Sequence, residues 1–221
     1  MSQRNFIKII KEYARIVFTA AVMYFIISVS LVKAYHIESG SMEYTLLEGD
    51  KVLVNKFLYG VVIPYVHWRL PGLRDPHPGD IIVFEYPFNT SVQYVKRCIG
   101  VPGQIVEIKN KDVYINGRLF ATPLTLRKSD MLLPPDYQER GIFPEGNGNR
   151  DNYSPITIPD NYFFVLGDNR DNSFDSRYWG FVPHKNIVGK AEFIYWSLDP
   201  SISYQYLWNK VRWNRLLTRL Q

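Results

Sequence analysis

Two short segments of the sequence hold residue types that can supply a nucleophile and a general base without a histidine. The first is the small-residue turn Ser39-Gly40-Ser41-Met42, and the second carries Lys96 inside the apolar pattern YVKRCIG. A serine hydroxyl becomes a nucleophile when a neighbouring base takes its proton. Lysine has an ordinary pKa of about 10.4, and burial lowers it toward neutrality. A serine of the turn and Lys96 are therefore a candidate nucleophile and general base.

Neither segment is decisive by itself, because small-residue turns are common and a lysine in a strand usually marks an exposed edge. The alternation of YVKRCIG places Tyr94, Lys96 and Cys98 on one face of a strand. Apolar residues on both sides of the lysine favour a central strand. The GxSxG nucleophile elbow is absent. The histidines lack an evident aspartate partner for a Ser-His-Asp triad; they are His36, His67, His77 and His184.

The segment GDNRDNSFDSRYWG, from Gly167 to Gly180, is dense in hydrogen-bonding side chains. A calcium loop is one interpretation, but Arg170 and Ser173 stand where an EF-hand needs an oxygen ligand and a glycine. A polar surface loop is a second interpretation. The third is a rigid support built from carboxylate–guanidinium pairs.

Composition excludes several classes of function. The chain has 221 residues, a net charge of +5 and a single cysteine, Cys98, so it has no intramolecular disulfide and no cysteine metal cluster. Its basic residues are scattered or terminal and form no stripe of the kind that binds nucleic acid. Aromatic residues make up 15% of the chain, which suits β-rich packing or a surface near lipid headgroups.

Near the N-terminus, residues 16–32 contain no charge, and tyrosines at 13 and 35 extend this segment into the interfaces. Arg4, Lys8, Lys11 and Arg15 precede it, which by the positive-inside rule leaves residues 1–15 in the cytoplasm. We predict a single transmembrane helix over 16–35, with residues 36–221 on the extracytoplasmic face of the cell membrane. A cleaved secretory signal is the competing interpretation, but no convincing small-x-small site follows the helix.

The remainder is predicted to be mainly β. Period-two and β-branched runs alternate with glycine and proline, and no βαβ alternation appears, which favours an antiparallel, partly barrelled domain. Asn116-Gly117 is the strongest hairpin signal. Residues 121–159 are predicted to be a loop-rich insertion. The predicted strands are 51–56, 80–86, 92–101, 105–108, 113–115, 118–120, 162–166 and 190–196.

The last segment, residues 204–220, alternates apolar and basic residues with fair helical spacing. It is interpreted as a possible amphipathic helix that packs back on the domain or, alternatively, lies in the membrane interface.

Taken in order, the segments resemble bacterial type I signal peptidase, the membrane-bound serine protease that removes signal peptides from exported proteins. The resemblance extends from the hydrophobic segment to about residue 196. It is carried by SGSMEYTL at 39–46, GDIIVF at 79–84, YVKRCIGVPG at 94–103 and GDNRDNSFDSRYWGFVP at 167–183. One departure is Tyr44, where the family usually has proline; we expect it to loosen the turn or to contact lipid or substrate.

The resemblance implies a role for individual residues. Ser41 would be the nucleophile and Lys96 its general base, and Ser39 would form the oxyanion hole together with the backbone N–H of Ser41. Ser173 would orient the lysine amine. The implied supporting ion pairs are Asp175 with Arg177 and Arg97 with Asp168.

It also implies partners. The substrates would be exported preproteins, cut after small-x-small sites and held extended along the strand before the nucleophile and the strand that carries the lysine. The residues expected to line the substrate pockets are Ile37, Met42, Leu46, Tyr94 and Val95. The lipid bilayer would be a second partner, and no cofactor, metal or nucleic acid is expected.

Two rival interpretations remain. A non-catalytic, membrane-anchored assembly factor could share the fold, but both chemical residues are present. A self-cleaving Ser-Lys repressor would need a DNA-binding module, and the sequence shows none.

Overall fold

The computed structural model describes residues 3–30, 32–62, 68–121 and 131–220. These residues form one long helix, two short helices and twelve strands. The helices are α1 (Gln3–Ser30), α2 (Ser176–Trp179) and α3 (Leu207–Lys210). The strands are β1 (Val32–His36), β2 (Asp50–Asn55), β3 (Ile81–Tyr86), β4 (Asn89–Gly100), β5 (Ile105–Lys109), β6 (Asp112–Ile115), β7 (Arg118–Leu119), β8 (Tyr153–Thr157), β9 (Tyr162–Leu166), β10 (Val182–Pro183), β11 (Ile187–Ser197) and β12 (Thr218–Arg219).

The strands pair antiparallel, as predicted, and they form two sheets. The larger sheet has the order β1-β2-β11-β3-β4-β9-β10, with β12 beside β11, and the smaller has the order β7-β6-β5-β8. Among the described strands, β1 and β10 end the larger sheet without pairing to each other. The expectation of a partly barrelled domain is therefore corrected to an open sheet. An open sheet has two edge strands, and one of them here is β1, which leads directly to the candidate nucleophile.

Strand β4 lies inside the larger sheet, between β3 and β9. Its second half is buried, from Lys96 to Gly100, whereas its first residues are exposed. This confirms that the lysine belongs to a central strand. Residues packed on the faces of the larger sheet form clusters around Val52 and Val54 on one side and around Phe84 and Phe163 on the other.

The hairpin between β6 and β7 turns at Asn116-Gly117, as predicted. Both residues have positive φ, 49° for Asn116 and 75° for Gly117. Asparagine and glycine tolerate this conformation better than other residues, which explains why the dipeptide marks the turn.

Residues 121–159 were predicted to be a loop-rich insertion, but they contain the strand β8, so this prediction is corrected. β8 pairs with β5 and completes the smaller sheet, with Val106 opposite Ile156. Residues 122–130 of the insertion lie outside the described residues. The sequence signal was weak because Pro155 interrupts the strand pattern, and a proline is accepted here because β8 is an edge strand.

The N-terminal helix is longer than predicted and ends earlier. α1 spans Gln3–Ser30, a stretch without glycine or proline. The last residues of the predicted 16–35 helix instead belong to β1, which pairs along its length with β2. Within the residues that the structure describes, no helix is both long enough and apolar enough to cross a membrane.

The predicted helix over 204–220 is wrong, and the segment packs on the domain. It consists of short turns, α3 and β12, and Leu217 has a φ of 56°, which interrupts any helix. The chain returns to the larger sheet, where Leu220 N donates to Glu192 O at 2.8 Å. Arg215 binds the buried carboxylate of Asp50 at 2.6 Å, so basic residues of this segment serve to attach it.

Candidate active site

The candidate nucleophile stands on a tight turn that the core holds in place. Gly40–Met42 form a single 3₁₀ turn directly after the extended residue Ser39. Met42 is 2% exposed and anchors the turn in the core. Leu46 N donates to Met42 O at 2.8 Å and continues the turn. The Ser41 side chain is thereby presented to the surface while its neighbours are fixed.

Lys96 reaches this serine from the middle of β4. Its side chain is 4% exposed, and its Nζ is hydrogen-bonded to Oγ of Ser41. The two residues are 55 positions apart in sequence, so only the folded sheet brings them together. Sequence reasoning paired these residues, and the structure places them in direct contact.

The environment of Lys96 favours the neutral amine. Burial is the main reason that its pKa is lowered to about 8, and the positive charge of Arg177 lowers it further. The carboxylates of Asp175 and Asp168 oppose this shift. Because burial outweighs the carboxylates, a substantial fraction of the amine is neutral at mildly alkaline pH and can accept a proton.

Ser39 stands beside the nucleophile. Its Oγ lies 3.2 Å from Oγ of Ser41, a distance at which either hydroxyl could be the donor. A hydroxyl at this position, together with a backbone N–H, is the kind of donor set that stabilises a developing oxyanion.

A loop between β9 and α2 holds the serine turn from behind. Asn169 N donates to Ser41 O at 3.1 Å, and Asn169 Nδ2 donates to Gly40 O at 3.0 Å. A Cβ at Gly167 would lie 2.4 Å from Ser41 O. This close approach of two backbones requires glycine at 167.

Two buried ion pairs fix that loop, and both match the predicted pairings. Arg97 Nε and Nη2 donate to the two oxygens of Asp168, each at 2.8 Å. Arg177 binds Asp175 in the same bidentate manner, with both distances 2.8 Å. All four side chains are at most 2% exposed. Bidentate geometry with further hydrogen bonds is what makes a buried pair tolerable.

A cleft of about 360 Å³ opens beside the serine and lysine. One wall comes from the end of β1 and the residues after it, and the other comes from β4. Four of the predicted substrate-contacting residues line it: Ile37, Met42, Tyr94 and Val95. An extended peptide laid in this cleft would run beside the free edge of β1.

A family model described as signal peptidase, peptidase S26, matches residues 10–196. The chain belongs to this family. Signal peptidase I of Pseudomonas aeruginosa is 36% identical to it over 220 residues, covering 87% of this chain and 75% of the relative. Signal peptidase I of Aquifex aeolicus is 35% identical over 208 residues, covering 76% of this chain and 77% of the relative.

One solved structure of the family, a signal peptidase I from Enterococcus faecalis, is 30% identical in sequence. The match covers 54% of this chain and 98% of that chain, with a TM-score of 0.38.

Two residues expected from the signal peptidase pattern are placed differently. Leu46 is 0% exposed and belongs to the core cluster under the serine turn, so it does not line the cleft. The hydroxyl of Ser173 is buried and has no hydrogen-bond partner within the described residues. Among the described residues, the Lys96 amine is hydrogen-bonded to Ser41 and not to Ser173, so the expected bond is absent.

Tyr44, where signal peptidases usually have proline, has a φ of 98°. A proline ring holds φ near −65°, so this chain bends the turn in a way that proline does not permit. A bulky residue at positive φ is a backbone outlier, and such strain persists only where surrounding contacts impose it. The Tyr44 side chain is 51% exposed.

Sequence reasoning missed three residues of the site. Asn169 was seen only as part of a polar loop, although it holds the serine turn. Thr45 donates to Asp168 at 2.6 Å and links the turn to that ion pair. Phe174 lines the cleft and stacks on Tyr178 with ring centroids 5.7 Å apart. For Asn169, the available sequence signal was Gly167, which directly follows the buried strand β9.

Proposed function

We propose that this protein is a membrane-bound serine endopeptidase that removes N-terminal signal peptides from exported preproteins. Family membership supports signal-peptide cleavage as the general activity. The observation that carries the chemical assignment is the hydrogen bond between the buried Nζ of Lys96 and Oγ of Ser41. A buried amine beside a serine hydroxyl meets the geometric requirement for a nucleophile and its base.

The proposed reaction begins with the neutral amine of Lys96, which takes the proton of Ser41. Oγ of Ser41 attacks the carbonyl carbon of the scissile bond, and the carbonyl oxygen becomes an oxyanion. The Ser39 hydroxyl and the backbone N–H of Ser41 donate to that oxyanion. The protonated lysine then gives its proton to the leaving amine, and the carbon–nitrogen bond breaks. This leaves an ester between Ser41 and the signal peptide.

Hydrolysis of the ester repeats the same steps with water. Lys96, neutral again, takes a proton from a water molecule, and the resulting hydroxide attacks the ester carbonyl. The oxyanion collapses, the proton returns to Oγ of Ser41, and the signal peptide leaves as a carboxylic acid. Lys96 therefore carries the proton in every transfer of the proposed reaction.

The cleft supports a preference for small side chains before the cut. Ile37, Met42 and Val95 line it with apolar groups, and its walls come from packed parts of the larger sheet. Packed walls do not readily expand for a larger side chain. We propose that the substrate lies extended and carries small residues, typically alanine, at the first and third positions before the cut.

Membrane attachment is proposed from the sequence. Residues 16–32 carry no charge, and four basic residues precede them. The proposed arrangement puts the N-terminus in the cytoplasm and the catalytic domain on the extracytoplasmic face of the cell membrane. Signal peptides reach the same face as they leave the membrane, so substrate and active site would meet there.

The test uses the full chain in detergent, incubated with a preprotein and analysed by gel electrophoresis. We expect a single cut at an Ala-x-Ala site and no cut with Ser41→Ala. The matched control is Ser91→Ala, an exposed serine on the strand that carries the lysine, which should cleave normally. Full cleavage by Ser41→Ala would refute the nucleophile assignment.

A second arm tests the pockets. Replacing both alanines of the Ala-x-Ala site by phenylalanine should lower kcat/KM by roughly a hundredfold or more, since each oversized side chain costs about 1–3 kcal/mol in a packed site. Equal rates for both substrates would show that the cleft does not select small residues.

A further inference from the structure

A second cavity, of about 370 Å³, lies beside the active-site cleft and shares Gln93 with it. Its walls come from β1, β3, β4 and the start of β11. Nothing in the proposed reaction uses this cavity. Its most unusual property is charge, because it is lined by Lys33, Lys56, Arg69 and Lys185 against the single carboxylate of Glu85.

Among the described residues, these four cations have no ion-pair partner, although the charge of Glu85 partly offsets the lowering of the Arg69 pKa by burial. Within the described residues, none of the three lysines or Arg69 has a carboxylate oxygen within 4.0 Å. Burial lowers the pKa of Lys56, and the positive charge of Lys33 lowers it further. Ammonium groups placed close enough to repel one another are stabilised when an anion binds between them.

Arg69 is held in place beside the cavity by hydrogen bonds to three backbone carbonyl oxygens. Its guanidinium donates to Tyr59 O at 3.1 Å, Lys185 O at 3.0 Å and Ile187 O at 2.6 Å. These bonds hold the residues on either side of the cavity in a fixed relation. Because carbonyl oxygens carry no net charge, these hydrogen bonds do not neutralise the guanidinium. Lys56 and Lys185 line the same cavity, and neither ammonium group forms an ion pair within the described residues.

Position and lining select the anion. Lys33 follows the end of α1 at Ser30 by three residues, so the membrane attachment proposed above would place it at the depth of lipid headgroups. Val62, Ile187 and Val188 add apolar surface to the cavity. A phosphate ester attached to an apolar group matches both features, because ammonium groups bind phosphate oxygens and the aliphatic walls accept the adjoining carbons.

We propose that this cavity binds the phosphate of an anionic phospholipid, with Lys56 and Lys185 as the main ligands. Free inorganic phosphate offers the same oxygens without the apolar group, so the two sources can be separated by experiment. The choice of a lipid rests on the proposed membrane attachment, whereas anion binding rests on the cavity alone. Bound lipid would hold the cleft, which adjoins the cavity at Gln93, at a fixed height above the bilayer.

The test is calorimetric titration of the full chain, in a non-ionic detergent, with dioctanoyl phosphatidylglycerol, dioctanoyl phosphatidylcholine and inorganic phosphate. We expect saturable binding of the phosphatidylglycerol, weaker binding of the other two, and weakening with salt. The double variant Lys56→Gln/Lys185→Gln should bind the anionic lipid on the order of tenfold more weakly. The matched control, Lys109→Gln/Arg118→Gln, removes two positive charges from exposed positions on the smaller sheet and should bind within about twofold of the original chain.

Three outcomes would overturn the proposal. They are unchanged binding by the double variant, equal loss in the control variant, and binding of inorganic phosphate as tight as that of the lipid. Preprotein cleavage in lipid-free detergent is measured on the same samples. Because neither lysine belongs to the catalytic machinery, cleavage should persist in the double variant. Loss of lipid binding with cleavage intact separates this site from the proposed function.

Discussion

At the scale of single residues, catalysis depends on how easily Lys96 loses its proton. Its pKa is lowered to about 8, chiefly by burial. Since the neutral amine is the active form, kcat/KM should rise with pH through a single ionisation near 8 and level off above it. Initial rates of preprotein or peptide cleavage between pH 6 and 10 measure this profile. A profile governed by one ionisation near 6.5 would point to a histidine instead.

Replacing the lysine tests the same property directly. Lys96→Arg keeps the positive charge, but a guanidinium does not deprotonate in this range, so cleavage should fall by roughly 10³-fold. Lys109→Arg, at an exposed position on β5, is the control and should leave the rate unchanged. Circular dichroism should show that both variants are folded. An active Lys96→Arg enzyme would exclude the lysine as the base.

Tyr44 allows a separate prediction about backbone strain near the nucleophile. Its φ of 98° is unfavourable for any residue with a Cβ. Tyr44→Ala and Tyr44→Gly both remove the ring, but only glycine relieves the backbone. We expect the glycine variant to be more stable than the alanine variant by about 1 kcal/mol in chemical denaturation. Equal stabilities would show that the turn adopts another conformation in solution.

At the scale of elements, the loop between β9 and α2 connects stability to the active site. Burial favours the neutral acid of Asp175, but the charge and hydrogen bonds of Arg177 outweigh it and lower the pKa of this carboxyl. Asp175→Ala leaves the Arg177 charge buried without its partner, which should lower the free energy of unfolding by about 3–5 kcal/mol. Urea denaturation measures the change.

A matched control is available on the surface. Asp199→Ala removes a partly exposed carboxylate that faces Arg212 at 3.3 Å and accepts hydrogen bonds from Ser201, and its effect should stay below about 1 kcal/mol. Because the Asp175 pKa is depressed, the stability that this ion pair contributes is present at neutral pH and is lost as the pH falls below about 4. A large effect at Asp199 and none at Asp175 would contradict the assignment of the buried support.

The strands show what sequence patterns can and cannot predict at this scale. β9 was predicted with its observed bounds, because five apolar residues stand between turn signals. β8 was missed because Pro155 and polar neighbours hide an edge strand. The C-terminal helix was wrong because its spacing fitted a helix, whereas long-range bonds such as Arg215 to Asp50 determine the conformation. Local patterns do not encode such contacts.

The residues of the candidate site were likewise only partly predictable from the sequence. Ser41 and Lys96 were predictable as residue types in a turn and an apolar strand, and their contact follows from the sheet. Asn169 was not, because its role consists of two bonds to the backbone of a turn more than 120 residues away, as the 129-residue separation from Gly40 shows. Leu46 was expected to contact the substrate because of the family resemblance, but the turn directs it into the core.

At the scale of the whole molecule, the proposed membrane topology makes a directional prediction. Protease added outside intact spheroplasts should digest the domain after residue 35, while a tag fused to Met1 stays protected until detergent is added. The reason is the excess of basic residues before residue 16, which favours a cytoplasmic N-terminus. Protection of the large domain in intact spheroplasts would place the active site in the cytoplasm and refute the proposed localisation.

The single thiol of the chain has a practical consequence. Cys98 is 0% exposed on a central strand, and burial raises its pKa far above the ordinary range. Alkylating reagents react with accessible thiolates, so they should leave the folded chain unmodified. A cysteine introduced at the exposed position Val92, on the rim of the cleft, would then be the one site that takes up a maleimide dye. Fluorescence energy transfer to a labelled preprotein could follow substrate arrival without removal of the native cysteine.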